Sequence, residues 1–251
     1  LLDPSVSGQT TLEYLEHANL FVVPLDNERR WYRYHHLFAE LLRQRLGQRV
    51  TPDTIAGYHV RASQWHEAHG SEIEAFLHAT AARDVERAER LIARGRLPLH
   101  SLATVTAVLG WLDSLPQAVL DARPWLWVRS ALSVLMIGQT TGIEEKLQAA
   151  EKALRNADLD DATRDLTGQI AAIRATSAIL RYEPELAIAQ ARRALEHLHP
   201  DNLPFRSRAF YAQGVAHQLQ GDRMAARAAY TAAIASGRAA GGVYHTVLAS
   251  T

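Results

Sequence analysis

The sequence predicts a mainly α protein, a superhelix of helical hairpins preceded by a small unit in which a β-hairpin sits between two helices. Three observations carry this prediction. Apolar residues return at helical spacing along most of the chain. Alternating β-prone residues gather in one stretch only, residues 20–34. A pattern of small and large side chains recurs at an interval of about 39 residues toward the end.

Taken in order, residues 10–19 place Leu12, Tyr14 and Leu15 at helical spacing behind a threonine cap, which predicts a short amphipathic helix. In the next segment, Leu20 to Leu25 and Trp31 to Tyr34 flank an Asp26-Asn27 turn, the pattern of a β-hairpin. Trp31 and Arg33 alternate with Tyr32 and Tyr34, as on a strand with two different faces. From His36 the spacing of Leu37, Leu41, Leu42 and Leu46 is helical again. Helix, hairpin and helix together read as the tail of a winged-helix-like unit. After residue 52 the hairpin signals stop, and past residue 60 no strand is needed, because Gly and Pro at Gly70, Gly95, Pro116, Pro124, Gly142, Pro184 and Gly221, among others, punctuate the chain into helices.

The repeat is the strongest architectural signal. Phe210, Gly214 and His217, then Ala226, Tyr230 and Ala233, fit the two helices of a tetratricopeptide pair, whose small residues let the helices approach closely. About 39 residues earlier, Ala171, Ala175 and Ala178 and then Ala187, Ala191 and Ala194 repeat the frame, and residues 125–137 with 144–155 predict an earlier pair. The expected product is a right-handed stack with a concave face. Trp111, Trp125 and Trp127, flanking leucines, are expected in the core.

Composition narrows the function. The chain has 251 residues, 27 Lys plus Arg against 27 Asp plus Glu, and no cysteine. A domain that grips nucleic acid needs clustered excess positive charge, so direct nucleic-acid contact is not expected. Without cysteine there is neither a disulfide framework nor a thiolate metal site, which fits the cytoplasm. No apolar run approaches the ~20 residues of a membrane helix, so no membrane contact is expected either. Leu1-Leu2-Asp3-Pro4 has no initiator Met, basic leader or long apolar core and does not read as a signal peptide, and the chain is expected to be a piece of a longer protein whose last residues follow the start of a further helix.

Leu12 to Asp26, and then Trp31-Tyr32-Arg33-Tyr34-His35-His36-Leu37-Phe38-Ala39-Glu40-Leu41-Leu42, resemble the large ATP-dependent, LuxR-type transcriptional activators related to MalT, of the STAND class of signalling NTPases. Ser63 to Gly70, Trp111 to Pro116 and Ala122 to Leu126 are similar to the region that follows the ATPase in that family. The resemblance implies a parent protein with a P-loop ATPase, a winged helix, a helical arm, a tetratricopeptide-like sensor and a terminal helix-turn-helix. It implies a winged-helix remnant at 1–52, an arm at 53–120 and sensor repeats at 121–251. ATP or ADP would be bound by the intact protein, with no cofactor held by this piece. Partners would be a small-molecule inducer or protein effector and the rest of the parent chain. The sequence holds no Gly-x-x-x-x-Gly-Lys-Ser/Thr, so this piece is not expected to be an enzyme.

The same resemblance aligns Tyr34-His35-His36-Leu37 with a Met-His-Asp-Leu-type motif whose histidine touches the β-phosphate of ADP, which makes His35 the candidate nucleotide contact. His36 departs from the acidic residue of that motif. The structural alternative is that His35 ends the hairpin and packs on Trp31. From the repeat frame, Arg208, Tyr211 and Gln218 turn toward the groove, and Gln169 and Thr176 do so one repeat earlier. Their hydrogen-bonding groups suit a sugar, a small polar effector or a peptide, and a solvated helix face is the alternative. His66 and His69 are spaced i and i+3, unlike the i and i+4 pair of a helical zinc site, and no metal is expected there. No nucleophile elbow, carboxylate pair or dinucleotide fingerprint is present. The leading expectation is a signal-receiving regulatory segment, with a helical scaffold for protein partners as the alternative.

Overall fold

The structure, a computed structural model, describes residues 8–95, 97–98, 101–155, 158 and 160–241. The expected helix after residue 241 lies outside the described residues. The chain groups into two compact units, residues 1–96 and 97–251. Among the described residues there are thirteen helices and one two-stranded antiparallel sheet. None of these helices is long and apolar enough to cross a membrane.

In the first unit, α1 (Gly8–His17) begins two residues before its expected start. It stops where Asn19 adopts φ 53°, a conformation that asparagine tolerates better than most residues. Strands β1 (Val22–Pro24) and β2 (Tyr32–Tyr34) pair Val22 with Tyr34 and Pro24 with Tyr32. Their connection is longer than a two-residue turn, and the Asp26 carboxylate organises it by accepting from the amides of Arg30 at 2.9 Å and Trp31 at 3.3 Å. The Tyr32 hydroxyl donates to Glu16 of α1 at 3.1 Å, and the Glu16 carboxylate also pairs with Arg29 at 3.3 Å, which fixes the hairpin to the helix.

Helix α2 (His36–Arg49) forms as its leucine spacing predicts, yet it buries none of its residues, and Leu37 is 62% exposed. Helix α3 (Pro52–Ala68) starts on a Thr51 cap with proline in its first turn, where the missing amide costs nothing. It ends before Gly70, whose φ of 73° turns the chain into α4 (Glu72–Ala81). Asp84 caps α5 (Val85–Ala93) by accepting from the Arg87 amide at 3.0 Å. Ala75, Phe76, Ala79, Ala88, Leu91 and Ile92 form the core of these helices. A polar staple crosses it. The buried Ser63 hydroxyl donates to the Ala75 carbonyl at 2.7 Å and accepts from Arg87 Nε at 2.7 Å, while Arg87 and Arg94 both pair with Glu67.

Three histidines meet between α3 and α4. The Nδ1 atoms of His59 and His78 lie 2.8 Å apart, a hydrogen bond that needs one protonated and one bare nitrogen. The ring of His66 stacks on His78 at 5.3 Å, and His66 Nδ1 is buried without a partner among the described residues. Burial, reinforced by the two neighbouring imidazoles and opposed by Glu74, pushes the pKa of His78 below its ordinary 6.5.

The second unit contains α6 (Leu102–Ser114), α7 (Gln117–Asp121) and three helix pairs. These pairs are α8 (Pro124–Met136) with α9 (Ile143–Leu154), α10 (Asp161–Leu180) with α11 (Pro184–His197), and α12 (Leu203–Leu219) with α13 (Arg223–Ala239). The sequence repeat therefore corresponds to packed helix pairs. Around α8 and α9 the core is branched and bulky, with Val128, Leu132, Leu135, Ile143, Leu147, Ile170 and Ile173. Trp111 is buried on α6, and Trp127 is half-buried with its indole N–H donating to Asp121 at 3.0 Å. Further along, seven of the eight buried residues in the cluster between α10, α11 and α12 are alanines. The closest approach is at Gly214, where an added Cβ would stand 2.6 Å from the Tyr230 ring. Across α9 and α10, Arg174 pairs with Glu144 at 2.7 Å and Glu151 at 2.5 Å.

Two measurements check this description. Gly214→Ala should lower stability by about 1–2 kcal/mol in urea unfolding, the overpacking cost exceeding the ~1 kcal/mol gain in helix propensity. In a Tyr230→Ala background the same substitution should become neutral or stabilising, and equal losses in both backgrounds would contradict the contact. For the histidines, the folded pKa of His78 lies below the unfolded one, so the unfolded state binds more protons at mildly acidic pH. Stability should be full above about pH 6.5 and decline as pH falls toward the folded pKa. His78→Gln should flatten that decline, and an unaltered pH profile would assign it elsewhere.

Candidate functional site

In the first unit the candidate site is built where the hairpin runs into α2. The His35 amide donates to the Phe21 carbonyl at 2.7 Å, extending the sheet ladder, and the His35 carbonyl accepts from Ala39 at 2.9 Å, opening the helix. One residue thus belongs to both elements, with φ −52° and ψ 137° at the N-cap position. Its side chain makes no capping hydrogen bond, so it is available outward while the first-turn amides of α2 present partial positive charge. The imidazole lies against His36, ring centres 4.3 Å apart, whereas Trp31 meets Trp65 edge-on at 5.9 Å. Phe38 holds the approach from below, stacked on Phe21 at 4.9 Å and edge-on to Tyr34 at 5.6 Å.

A cavity of about 470 Å³ opens here, lined by Arg33, Tyr34, His35, His36, Glu40 and Arg43 among others. Two guanidinium groups, two imidazoles and a helix N-terminus against one carboxylate make it a cation-rich recess. Such a recess suits a phosphate oxygen. Arg33 and Arg43 were not singled out from sequence. Their signal was the alternation of the hairpin and the i, i+7 relation of His36 and Arg43, which put them at the same end of the unit as His35.

In the second unit the groove candidates are distributed over two helices. On α10, Gln169 and Thr176 stand two turns apart on one face, both half-buried. Gln169 donates to Asp165 at 2.8 Å, and the Thr176 hydroxyl donates to the Ala172 carbonyl of its own helix at 3.0 Å. Arg208 and Tyr211 are half-buried on α12 and Gln218 is exposed. Tyr211 and Gln218 both meet Tyr230 of α13, the first ring to ring at 6.0 Å and the second by accepting from the tyrosine hydroxyl at 2.7 Å. Burial raises the pKa of Tyr230, with Tyr211 adding to it. The Gln218 side chain is therefore committed to the helix pair that also contains the Gly214 contact.

His66 and His69 diverge. His66 faces His78, while His69 stacks on Trp65 at 4.0 Å and its Nδ1 is 2.7 Å from the Trp65 carbonyl. Among the described residues no group of three or more His, Asp or Glu side chains is arranged to hold a metal ion. Asp165 is a second feature that sequence reasoning passed over. It accepts from the His199 amide at 2.7 Å, from Asn202 Nδ2 at 2.8 Å and from Gln169, joining α10 to the connection between α11 and α12.

Comparison with known proteins bears on both units. Residues 4–54 match the MalT winged helix domain, and residues 168–251 match the MalT-like TPR (tetratricopeptide) region. The chain is 31% identical over 206 residues to the serine/threonine-protein kinase PknK of Mycobacterium tuberculosis, covering 80% of this chain and 18% of the kinase. It is 29% identical over 216 residues to the HTH-type transcriptional regulator MalT of Serratia proteamaculans, covering 86% of this chain and 24% of that protein. The MalT of Vibrio cholerae is 27% identical over 197 residues, 78% of this chain and 21% of its own length. The chain thus spans about a quarter or less of these relatives. No solved structure matches it. On one polypeptide, a stretch similar to the MalT winged helix domain thus precedes a stretch similar to the MalT-like TPR region.

Proposed function

We propose that the chain is the signal-receiving segment of a MalT-like transcription activator in the cytoplasm. Its helical repeats receive an inducer or a protein effector, and its winged helix couples that event to the ATP- or ADP-bound state of the intact protein. The observation that carries the coupling is the position of His35, at the uncapped start of α2 beside Arg33 and Arg43. An imidazole N–H in that recess suits a terminal phosphate oxygen of ADP, and the contact would favour the resting state. The repeats support the other half of the reading. Stacked pairs offer a continuous surface, with Arg208, Tyr211, Gln218, Gln169 and Thr176 as candidate contacts on α12 and α10. For the effector to switch the protein it must bind the active state more tightly, and tenfold preference shifts the equilibrium by about 1.4 kcal/mol. The matches to a MalT winged helix domain and a MalT-like TPR region support a regulatory role for this segment.

In the intact regulator His35→Ala should raise basal transcription and speed ADP release. Unchanged or lower basal output from a folded variant would count against the coupling. Calorimetric titration of the chain with oligosaccharides and small metabolites should find a ligand whose affinity falls on Arg208→Ala, whereas association with proteins alone would favour a scaffold.

A further inference from the structure

Helix α8 is apolar along most of its length, with Leu126, Val128 and Ala131 to Leu135 buried, yet it carries an arginine at its midpoint. Arg129 is half-buried, and it has no hydrogen-bond or ion-pair partner among the described residues. Ser133, one turn on, is buried, and its hydroxyl likewise has no partner among the described residues. The hydroxyl of Ser130, also buried, has none either. At 3.6 residues per turn, Arg129, Ser133 and Ser130 fall within an arc of about 100°. Of the three, only the Ser130 hydroxyl is both unpartnered and fully cut off from water, the costly case for a polar group, while the Arg129 guanidinium and the Ser133 hydroxyl keep contact with solvent and so stay within reach of a ligand.

The lack of pairing is not for want of carboxylates. Helices α6, α7, α9 and α10 all pack on α8, and each carries acids that are committed elsewhere. Asp113 pairs with Lys146 at 3.1 Å, Asp121 accepts from Trp127, Glu144 and Glu151 hold Arg174, and Asp165 takes its three donors. Burial alone pushes the pKa of Arg129 down, with no charged neighbour opposing it. A guanidinium cannot escape the cost by losing its proton, so it remains a cation in search of an anion.

We infer that Arg129, with Ser133 beside it, is an anion-receiving subsite of the repeats, taking the carboxylate or phosphate of a ligand through the fork of its guanidinium. This rests on the reading that the repeats receive a ligand, and it specifies one chemical feature of that ligand. The bidentate geometry favours a planar carboxylate or a phosphate edge over a halide, and the half-buried setting makes the pairing stronger than at an exposed site.

The test is thermal unfolding of the chain in sodium chloride, sodium phosphate and sodium acetate at matched ionic strength, with Arg129→Met and Arg129→Lys as variants. The original chain should gain about 3 °C in phosphate or acetate over chloride. Arg129→Met keeps the aliphatic bulk and should lose that gain. Arg129→Lys keeps the charge and should show a smaller gain, because a point charge cannot match two oxygens. A gain in phosphate alone assigns a phosphoryl ligand, and a gain in acetate assigns a carboxylate. Absence of any anion-specific gain in the original chain, or an equal gain in Arg129→Met, overturns the subsite. A negative effector panel beside an Arg129-dependent gain would remove the sensor reading and leave the subsite standing, so the two failures are distinguishable.

Discussion

Close approach between paired helices is the constraint on which the second unit depends. Two helices can come within reach of each other's backbones only where the side chains between them are small. Ala171, Ala172, Ala175, Ala191, Ala194, Ala209 and Ala212 supply that condition between α10, α11 and α12, and Gly214 supplies it against Tyr230. At Gly168 the same requirement recurs, since an added Cβ would stand 2.7 Å from the Leu198 amide. The larger polar side chains are thereby displaced to the outer faces of the helices, which is where a surface able to meet another molecule has to be made.

Charge is organised by the same spacing. The chain is neutral in total, and a few of its charges are paired between helices. Glu67 holds two arginines at the base of the first unit, and Arg174 holds two glutamates across α9 and α10. The Arg174 network holds the Glu151 carboxylate below its ordinary pKa, chiefly through the hydrogen bonds from the guanidinium. Arg129 differs from the exposed arginines in lying half-buried on an otherwise apolar helix without a carboxylate beside it.

How much of this was legible in the sequence follows from how local each feature is. The β-hairpin could be read because alternation and a turn are properties of neighbouring residues, and the pairs α10–α11 and α12–α13 could be read because small residues mark close contact whatever the partner. The leucine spacing of α2 was also legible as a helix, but periodicity reports an amphipathic face and not whether another element covers it, and α2 buries none of its residues. The repeat frame turned Tyr211 and Gln218 of α12 toward the groove. It could not show that the Tyr230 hydroxyl reaches Gln218, because that depends on the length of a side chain on the next helix. His59 and His78 are 19 residues apart and meet only across the turn at Gly70, so no spacing rule would have joined them.

The alanine seam has a further thermodynamic consequence. A methyl group removes far less apolar surface from water than a leucine side chain does, and the heat-capacity change on unfolding scales with that surface. The part of the chain from α10 to α13, built on alanines, therefore unfolds with a smaller heat-capacity increment per residue than the leucine- and isoleucine-rich core around α8 and α9. Its stability curve is correspondingly flatter. Cooling and warming thus alter the two halves of the unit unequally, and the balance between them shifts with temperature even when no contact changes.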